Sequence, residues 1–351
     1  MNKNRLYLAS SIVVILLLVI FIKEGSAASS ESPGKSVSPK YKPITVTVTG
    51  DILLDKSVGE KIKKYGVDYP FKSVGPFLKK SDLTAGNLET SVTVRGTAQS
   101  KQFTFRSKPG TLKGVYNAGF DMVSLANNHT LDYGQIGLTD TMTNLKKYKI
   151  GYSGAGKNEK EAFQVYQKVI KGKKIAILGI SRVLPETSWI AGASKPGLAS
   201  GYSTEPMMKY VKKAVKSSDY TIVMIHWNKE STDYPEPYAR EMAKKFIDAG
   251  VDAVVGSHSH TLMGIDYYKN APIFYSMGNF VFTSSSDKSS ETMMATLTFD
   301  QNKVGIKLIP AKIINGQPKL MNDAYNQKVI KKLNRLSPRA KISKSGKVSK
   351  R

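Results

Sequence analysis

Only four histidines occur in the chain, His129, His226, His258 and His260, and each lies at or beside the end of an apolar run. FDMVSLANNH (120–129) ends on the first, DYTIVMIHW (219–227) carries the second, and VDAVVGSHSH (251–260) carries the last two. Asp51 closes ITVTVTGD (44–51) in the same way, and Asn87 and Glu89 close LTAGNLE (83–89). Imidazole, carboxylate and amide oxygen together suit Zn, Mn, Fe or Mg, the imidazoles favouring the transition metals. A single histidine at a strand end is most simply a hydrogen-bonded residue. Four of them there, with Asp51 and Asn128 alongside, point to one shared divalent-metal site. An H-x-H pair on a turn can aim both rings inward, toward one ion or two. Such a centre makes water nucleophilic by lowering its pKa, and His129 or Glu230 is spaced to exchange the proton. Glu230, four residues past His226, reads equally as a partner orienting an imidazole or as a solvated loop residue. Asp132 in NHTLDYG is ambiguous, a helix N-terminal role being its simplest reading.

These residues need strands whose carboxyl ends converge, which is where α/β sheets bind ligands. The hydropathy pattern supplies them. Strand-like runs at 44–51, 83–89, 120–129, 173–181, 219–227, 251–260 and 272–282 alternate with helical spacing around 55–65, 71–80, 134–148, 205–218 and 235–250. TMMATLTFD (292–300) and VGIKLIPAKII (304–314) read as a closing antiparallel pair. GYSGAGKN (151–158) nearly spells the phosphate-binding loop G-x-x-x-x-G-K-[ST], but Asn158 stands where the Mg-binding hydroxyl belongs. No nucleotide site is expected there. Trp189 and Trp227 are too few for a sugar-stacking platform, although Trp227, beside His226, is a candidate wall of the site.

Cysteine is absent, which excludes disulfides, thiolate metal sites, a cysteine nucleophile and a lipid anchor on cysteine. With 53 Lys and Arg against 27 Asp and Glu, the net charge is +26, which favours anionic partners. Ten of the basic residues, and no acid, fall in the segment 328–351, read as a flexible basic tail that grips an anionic polymer or a membrane surface. At the other end, Lys3 and Arg5 precede an apolar stretch from Leu6 to Ile22, and small residues follow from Gly25 to Ala28. Residues 1–24 therefore read as a signal anchor or a cleaved signal peptide. The Ser/Pro-rich segment 25–43 then forms a tether to an extracellular domain at 44–320. Nucleic acid is not expected as a partner.

GD at 50–51, NLE at 87–89, NNH at 127–129, GAGKNEKEA at 154–162, HWNKE at 226–230, GSHSH at 256–260 and FYSMGNFVF at 274–282 resemble the bacterial poly-γ-glutamate capsule-assembly family. Its members are membrane-anchored extracellular proteins related to calcineurin-like metallophosphoesterases. The resemblance implies an α/β fold, specifically a four-layer αββα sandwich, binding one or two divalent ions. It implies that Asp51 and His260 serve a first metal, that Asn128, His226 and His258 serve a second, and that His129 acts as general acid. Two positions depart from the phosphoesterase pattern: Leu53 stands where D-x-H has its histidine, and Asn87 where a bridging aspartate belongs. Glu89 is the candidate substitute, and the first metal position is expected to be depleted. The implied function is capsule synthesis or export, with poly-γ-glutamate and membrane synthase and export subunits as partners. The alternatives are an extracellular metal-dependent hydrolase of phosphoesters or glutamyl amides, and a metal-free polyanion-binding protein.

Overall fold

Two parallel blocks of strands explain how the predicted site residues meet. In a computed structural model, which describes residues 42–301 and 303–351, the strands Ile44–Ile52, Leu83–Leu88, Met122–Ser124 and Gly151–Ser153 run parallel in that order. The antiparallel strands Glu291–Asp300 and Lys303–Ile314 extend this sheet on the far side of Ile44–Ile52. A second, six-stranded sheet holds Lys173–Ser181, Tyr220–His226, Ala253–Ser257 and Ala271–Phe274, again parallel. The predicted signal at 1–24 and the tether up to residue 41 lie outside the described residues. Among the described residues, no helix is long and apolar enough to cross a membrane.

The chain is thus a mixed α/β sandwich. The two sheets face each other across one core, to which Val46, Val48 and Met122 contribute from the first sheet and Ile175, Ile177, Met224 and Phe274 from the second. Helices cover the outer faces. Val58, Val115 and Leu138, from helices Lys56–Tyr65, Leu112–Ala118 and Gly134–Lys147, pack with Ile52, Leu88 and Val123 of the first sheet. Met207 and Phe246, from helices Thr204–Lys216 and Pro237–Asp248, pack with Leu178, Val223 and Val254 of the second. This double cover is why KKIAILGIS reads as an unbroken apolar run: Ile175 and Ile177 face the inner core while Leu178 and Ile180 face the helices. Burying each large aliphatic side chain contributes about 1.5–3 kcal/mol.

Two sequence expectations change. The run 272–282 divides between the sheets, Ala271–Phe274 joining the second and Asn279–Val281 pairing with Ile44–Ile52 in the first. The crossing turn includes Gly278, whose φ is 65°. The segment 328–351 is not a flexible tail. It belongs to a helix, Asp323–Leu336, capped by Asn322, whose side chain accepts the Tyr325 N–H at 3.0 Å, and to two strands, Ala340–Ile342 and Lys347–Lys350, that extend the first sheet. Val329, Ile330, Leu333, Ile342 and Val348 enter the inter-sheet core, and Lys332 Nζ binds Glu291 Oε2 at 2.6 Å. The folded domain therefore continues past residue 320. The density of lysines hid an amphipathic helix, with apolar residues at 329, 330, 333 and 336, followed by an alternating hairpin. The near-match to a phosphate loop is also accounted for, because the Asn158 side chain caps the short helix Glu159–Ala162.

Since Leu333 is fully buried, Leu333→Ala should destabilise the protein by about 2–5 kcal/mol in denaturant unfolding. A change within about 0.5 kcal/mol, typical of a surface position, would show the C-terminal segment to be dispensable.

Candidate metal centre

The site is assembled by backbone approaches that only small residues permit. A Cβ on Gly50 would lie 1.8 Å from the Gly278 carbonyl oxygen, and one on Gly256 would lie 2.2 Å from the Tyr275 carbonyl oxygen. These glycines let the strands bearing Asp51 and the GSHSH turn draw against their neighbours. The Asp51 N–H donates to Gly278 O at 3.0 Å, and Asp51 pairs in register with Asn87 on one side and Asn279 on the other. His226 is likewise paired with Ser257 in the second sheet. The carboxyl ends of both parallel blocks therefore open onto one place.

A chain of amides organises the floor. Asn87 Nδ2 donates to Asp51 Oδ1 at 2.8 Å and lies 3.3 Å from His226 Nδ1. Asn87 Oδ1 accepts from Asn127 Nδ2 at 3.0 Å, and Asn127 Oδ1 accepts the His129 N–H at 3.0 Å. His226 Nδ1 meets Ser257 Oγ at 2.9 Å, and His226 Nε2 lies 2.8 Å from Asn128 Oδ1. His260 Nδ1 donates to Asn279 Oδ1 at 2.9 Å and is 3.5 Å from Asp51 Oδ2.

Glu89 lies at the centre of this arrangement. It is fully buried, and neither carboxylate oxygen has a hydrogen-bond partner. Its Oε1 lies 3.5 Å from His226 Nε2 and 3.9 Å from His260 Nε2. Candidate ligand atoms fall into three groups, each within 4.8 Å: Glu89, His226 and His258; Asp51, Glu89 and His260; and Glu230, His258 and His260. Glu89 belongs to both groups that contain no exposed residue, and Asn87 to none of the three. Burial and the neighbouring Asp51 charge push the Glu89 carboxyl well above the usual range. Burial pushes His226 far down, and with the His260 charge it takes His258 down to about 3. His260 moves the other way, burial being outweighed by Glu89 and Asp51, which raise it to about 10.

These residues fit a divalent cation. A buried carboxylate with neither oxygen satisfied, beside a buried His258 Nδ1 that also lacks a partner, is costly unless something positive binds them. The donors are carboxylates, imidazoles and an amide oxygen, a set suited to a transition metal. Backbone strain concentrates here as well: Asn228, Ser231, His258 and His260 have φ of 73°, 58°, 92° and 55°, conformations that non-glycine residues rarely adopt.

Asp51, Glu89, Asn128, His226, His258 and His260 are thus brought together, and Glu230 approaches His258 and His260 from the exposed side. His129 is one residue beyond Asn128. Its Nδ1 donates to Asp132 Oδ2 at 2.7 Å, so the ambiguous Asp132 is the histidine's buried carboxylate partner. Asp132 also accepts from Lys101 Nζ and the Phe105 N–H at 2.8 and 2.7 Å, and Lys101 Nζ also donates to the Asn128 carbonyl. Leu53 packs in an apolar cluster with Phe105, Phe282 and Ile313. Trp227 does not line the site; it is buried in the core under the second sheet's helices, its Nε1–H donated to Tyr275 O at 2.9 Å. Sequence reasoning missed Asn279, Lys101 and Phe105. Asn279 carried a signal, since it follows Gly278 at a strand start, whereas Lys101 lies in a loop without a pattern.

A family model described as bacterial capsule synthesis protein PGA_cap matches residues 45–284. The chain is 32% identical over 338 residues to a capsule biosynthesis protein CapA of Bacillus anthracis, covering 93% of this chain and 80% of that protein. It is 30% identical over 308 residues to a PGA biosynthesis protein CapA of Bacillus subtilis, covering 85% and 80%. A probable polyglutamine synthesis accessory protein of Mycobacterium tuberculosis is 31% identical over 212 residues, covering 57% and 56%.

A divalent ion added to chelator-treated protein should raise the melting temperature, corresponding to about 2.7 kcal/mol at one hundred times its Kd. Glu89→Gln should leave the metal-free melting temperature unchanged or higher and remove most of that rise. No shift with Mn, Zn, Fe or Mg would count against a metal centre.

Proposed function

The chain belongs to the bacterial capsule synthesis protein family, and on that premise we propose that it is an extracellular, membrane-anchored component of poly-γ-glutamate capsule synthesis or export. It works beside membrane synthase and export subunits and holds the emerging polyanion, with its N-terminal signal as the anchor. Its fold is read as the four-layer sandwich of the metallophosphoesterase type. The observation that carries the functional reading is the unsatisfied, buried Glu89 carboxylate within reach of Asp51, His226 and His260. The relatives' names supply the polymer, and the net charge of +26 suits it.

Asp51, Glu89, Asn128, His226, His258 and His260 would hold the metal. When bound, the ion supplies Lewis-acid polarisation and charge neutralisation. The protein's own groups handle the proton and the substrate. Asp132 fixes the proton of His129 on Nδ1, which leaves Nε2 as the nitrogen that accepts or gives one. Glu230, on the exposed side, exchanges protons with solvent or takes hold of a ligand entering between His258 and His260. The apolar cluster of Leu53, Phe105 and Phe282 excludes water from one wall.

A second reading, an extracellular hydrolase of phosphoesters or glutamyl amides, is favoured by the His129–Asp132 pair beside the metal ligands. Release of product from either substrate class by purified protein, abolished in His129→Ala, would establish it. For capsule assembly, His258→Ala together with His260→Ala in the producing cell should lower surface polymer at least about tenfold, as expected when metal ligands are lost. Polymer of normal yield and length would show the site to be dispensable for assembly.

A further inference from the structure

Behind the aromatic wall of the metal centre lies a second feature of unassigned purpose. The Phe105 ring packs on His129 with centroids 4.2 Å apart, and Phe105 meets Phe282, which in turn packs on His260 at 4.9 Å. Lys56 Nζ lies 5.9 Å from the centroid of the same Phe105 ring. There a cavity of about 560 Å³ opens, into which Lys56, Lys63, Arg106 and Lys108 bring positive charge. Among the described residues, the side chains of Lys56, Lys63 and Lys108 make no ion pair or hydrogen bond, unlike Lys101, Lys168, Lys171 and Lys332. Asp55 and the exposed Glu60 line the cavity too, two acids against four cations, and the Asp55 Oδ2 is engaged by the Arg106 N–H at 2.8 Å.

Two further observations point to a missing acceptor. Arg106 lies 3.5 Å above the Tyr133 ring and its Nη2 donates to Gly96 O at 3.0 Å, yet its Nε is buried with no partner. A buried donor without an acceptor is costly. Lys56 is held at φ 53°, the left-handed region, at the start of helix Lys56–Tyr65. The cap residue of that helix, Asp55, makes no side-chain bond to its first N–H groups, so the positive end of the helix also faces this region. The floor is apolar, formed by Leu54 and Ile62. Cations above an apolar floor match a flexible ligand whose carboxylates are separated by methylene groups.

We propose that this cavity binds carboxylate-bearing, γ-linked glutamate residues of the polymer, one aromatic layer away from the metal centre. The identity of the polymer rests on the capsule reading above; the anion site rests on the cavity itself. One stretch of polymer then spans the cavity and the metal ligands, and Phe105 separates the two contacts.

The test is calorimetric titration of the full chain with an oligo-γ-glutamate, and in a second arm with inorganic phosphate. Lys56→Ala combined with Lys108→Ala should weaken oligomer binding about tenfold, the scale of losing charge-assisted contacts. Lys212→Ala combined with Lys216→Ala, on the exposed face of helix Thr204–Lys216, should change it less than about twofold, as for distant surface charge. Lys63→Glu, at an exposed position, is a second test should the first pair not fold. Equal weakening by both pairs, or none by the cavity pair, overturns the cavity and leaves the capsule reading intact. Wild-type protein that binds phosphate but not the oligomer overturns the glutamate assignment and removes support from the capsule reading as well.

Discussion

A carboxylate with nothing to bond to, sealed from water, is the constraint around which the site is built. Leaving Glu89 ionised and alone would cost several kcal/mol, so its surroundings are arranged to supply positive charge. Without an ion, Glu89 and Asp51 draw a proton onto His260, in the place a cation would take, whereas burial lowers His226 and His258 and leaves them lone pairs to offer. The left-handed backbone at His258 and His260 is a second standing cost in the same few residues. Both persist because the sheets behind them are stable enough to carry them: one inter-sheet core and two outer cores hold the strand ends in place.

The departures from the phosphoesterase pattern become intelligible in this light. At the position of the missing aspartate, Asn87 offers an N–H to Asp51 and a carbonyl to Asn127, so it fastens the floor and bridges nothing. Two residues on, Glu89 takes the central position, entering from the end of the same strand. Leu53, where a histidine ligand is absent, joins Phe105 and Phe282 in a hydrophobic wall. On the Leu53 side of the histidines stands an apolar partition, with the basic cavity beyond it.

Much of this is legible in the sequence. Strand ends could be recognised because parallel strands covered on both faces are continuous apolar runs, and a polar residue closing such a run is conspicuous. The convergence of Asp51, Asn128, His226, His258 and His260 followed from that alone. The Lys101–Asp132–His129 arrangement did not, because it joins a loop lysine to a turn through contacts that leave no periodic trace. The C-terminal helix and hairpin were missed for a different reason. Their exposed positions are so uniformly basic that the charge masked the apolar spacing of Val329, Leu333 and Val348.

The pairing of Ile44–Ile52 with Glu291–Asp300 has a kinetic side. Thr47 and Thr296 lie opposite each other, 249 residues apart in the chain, with their hydroxyls 2.8 Å apart. Between them the entire second sheet is threaded. Closing so long a loop makes folding slow and late. Asp51 reaches its final setting between Asn87 and Asn279 only once nearly the whole domain has emerged. The candidate ligand set therefore does not exist in a nascent chain. Whichever compartment sees the last strands settle is the one whose ions such a site could acquire.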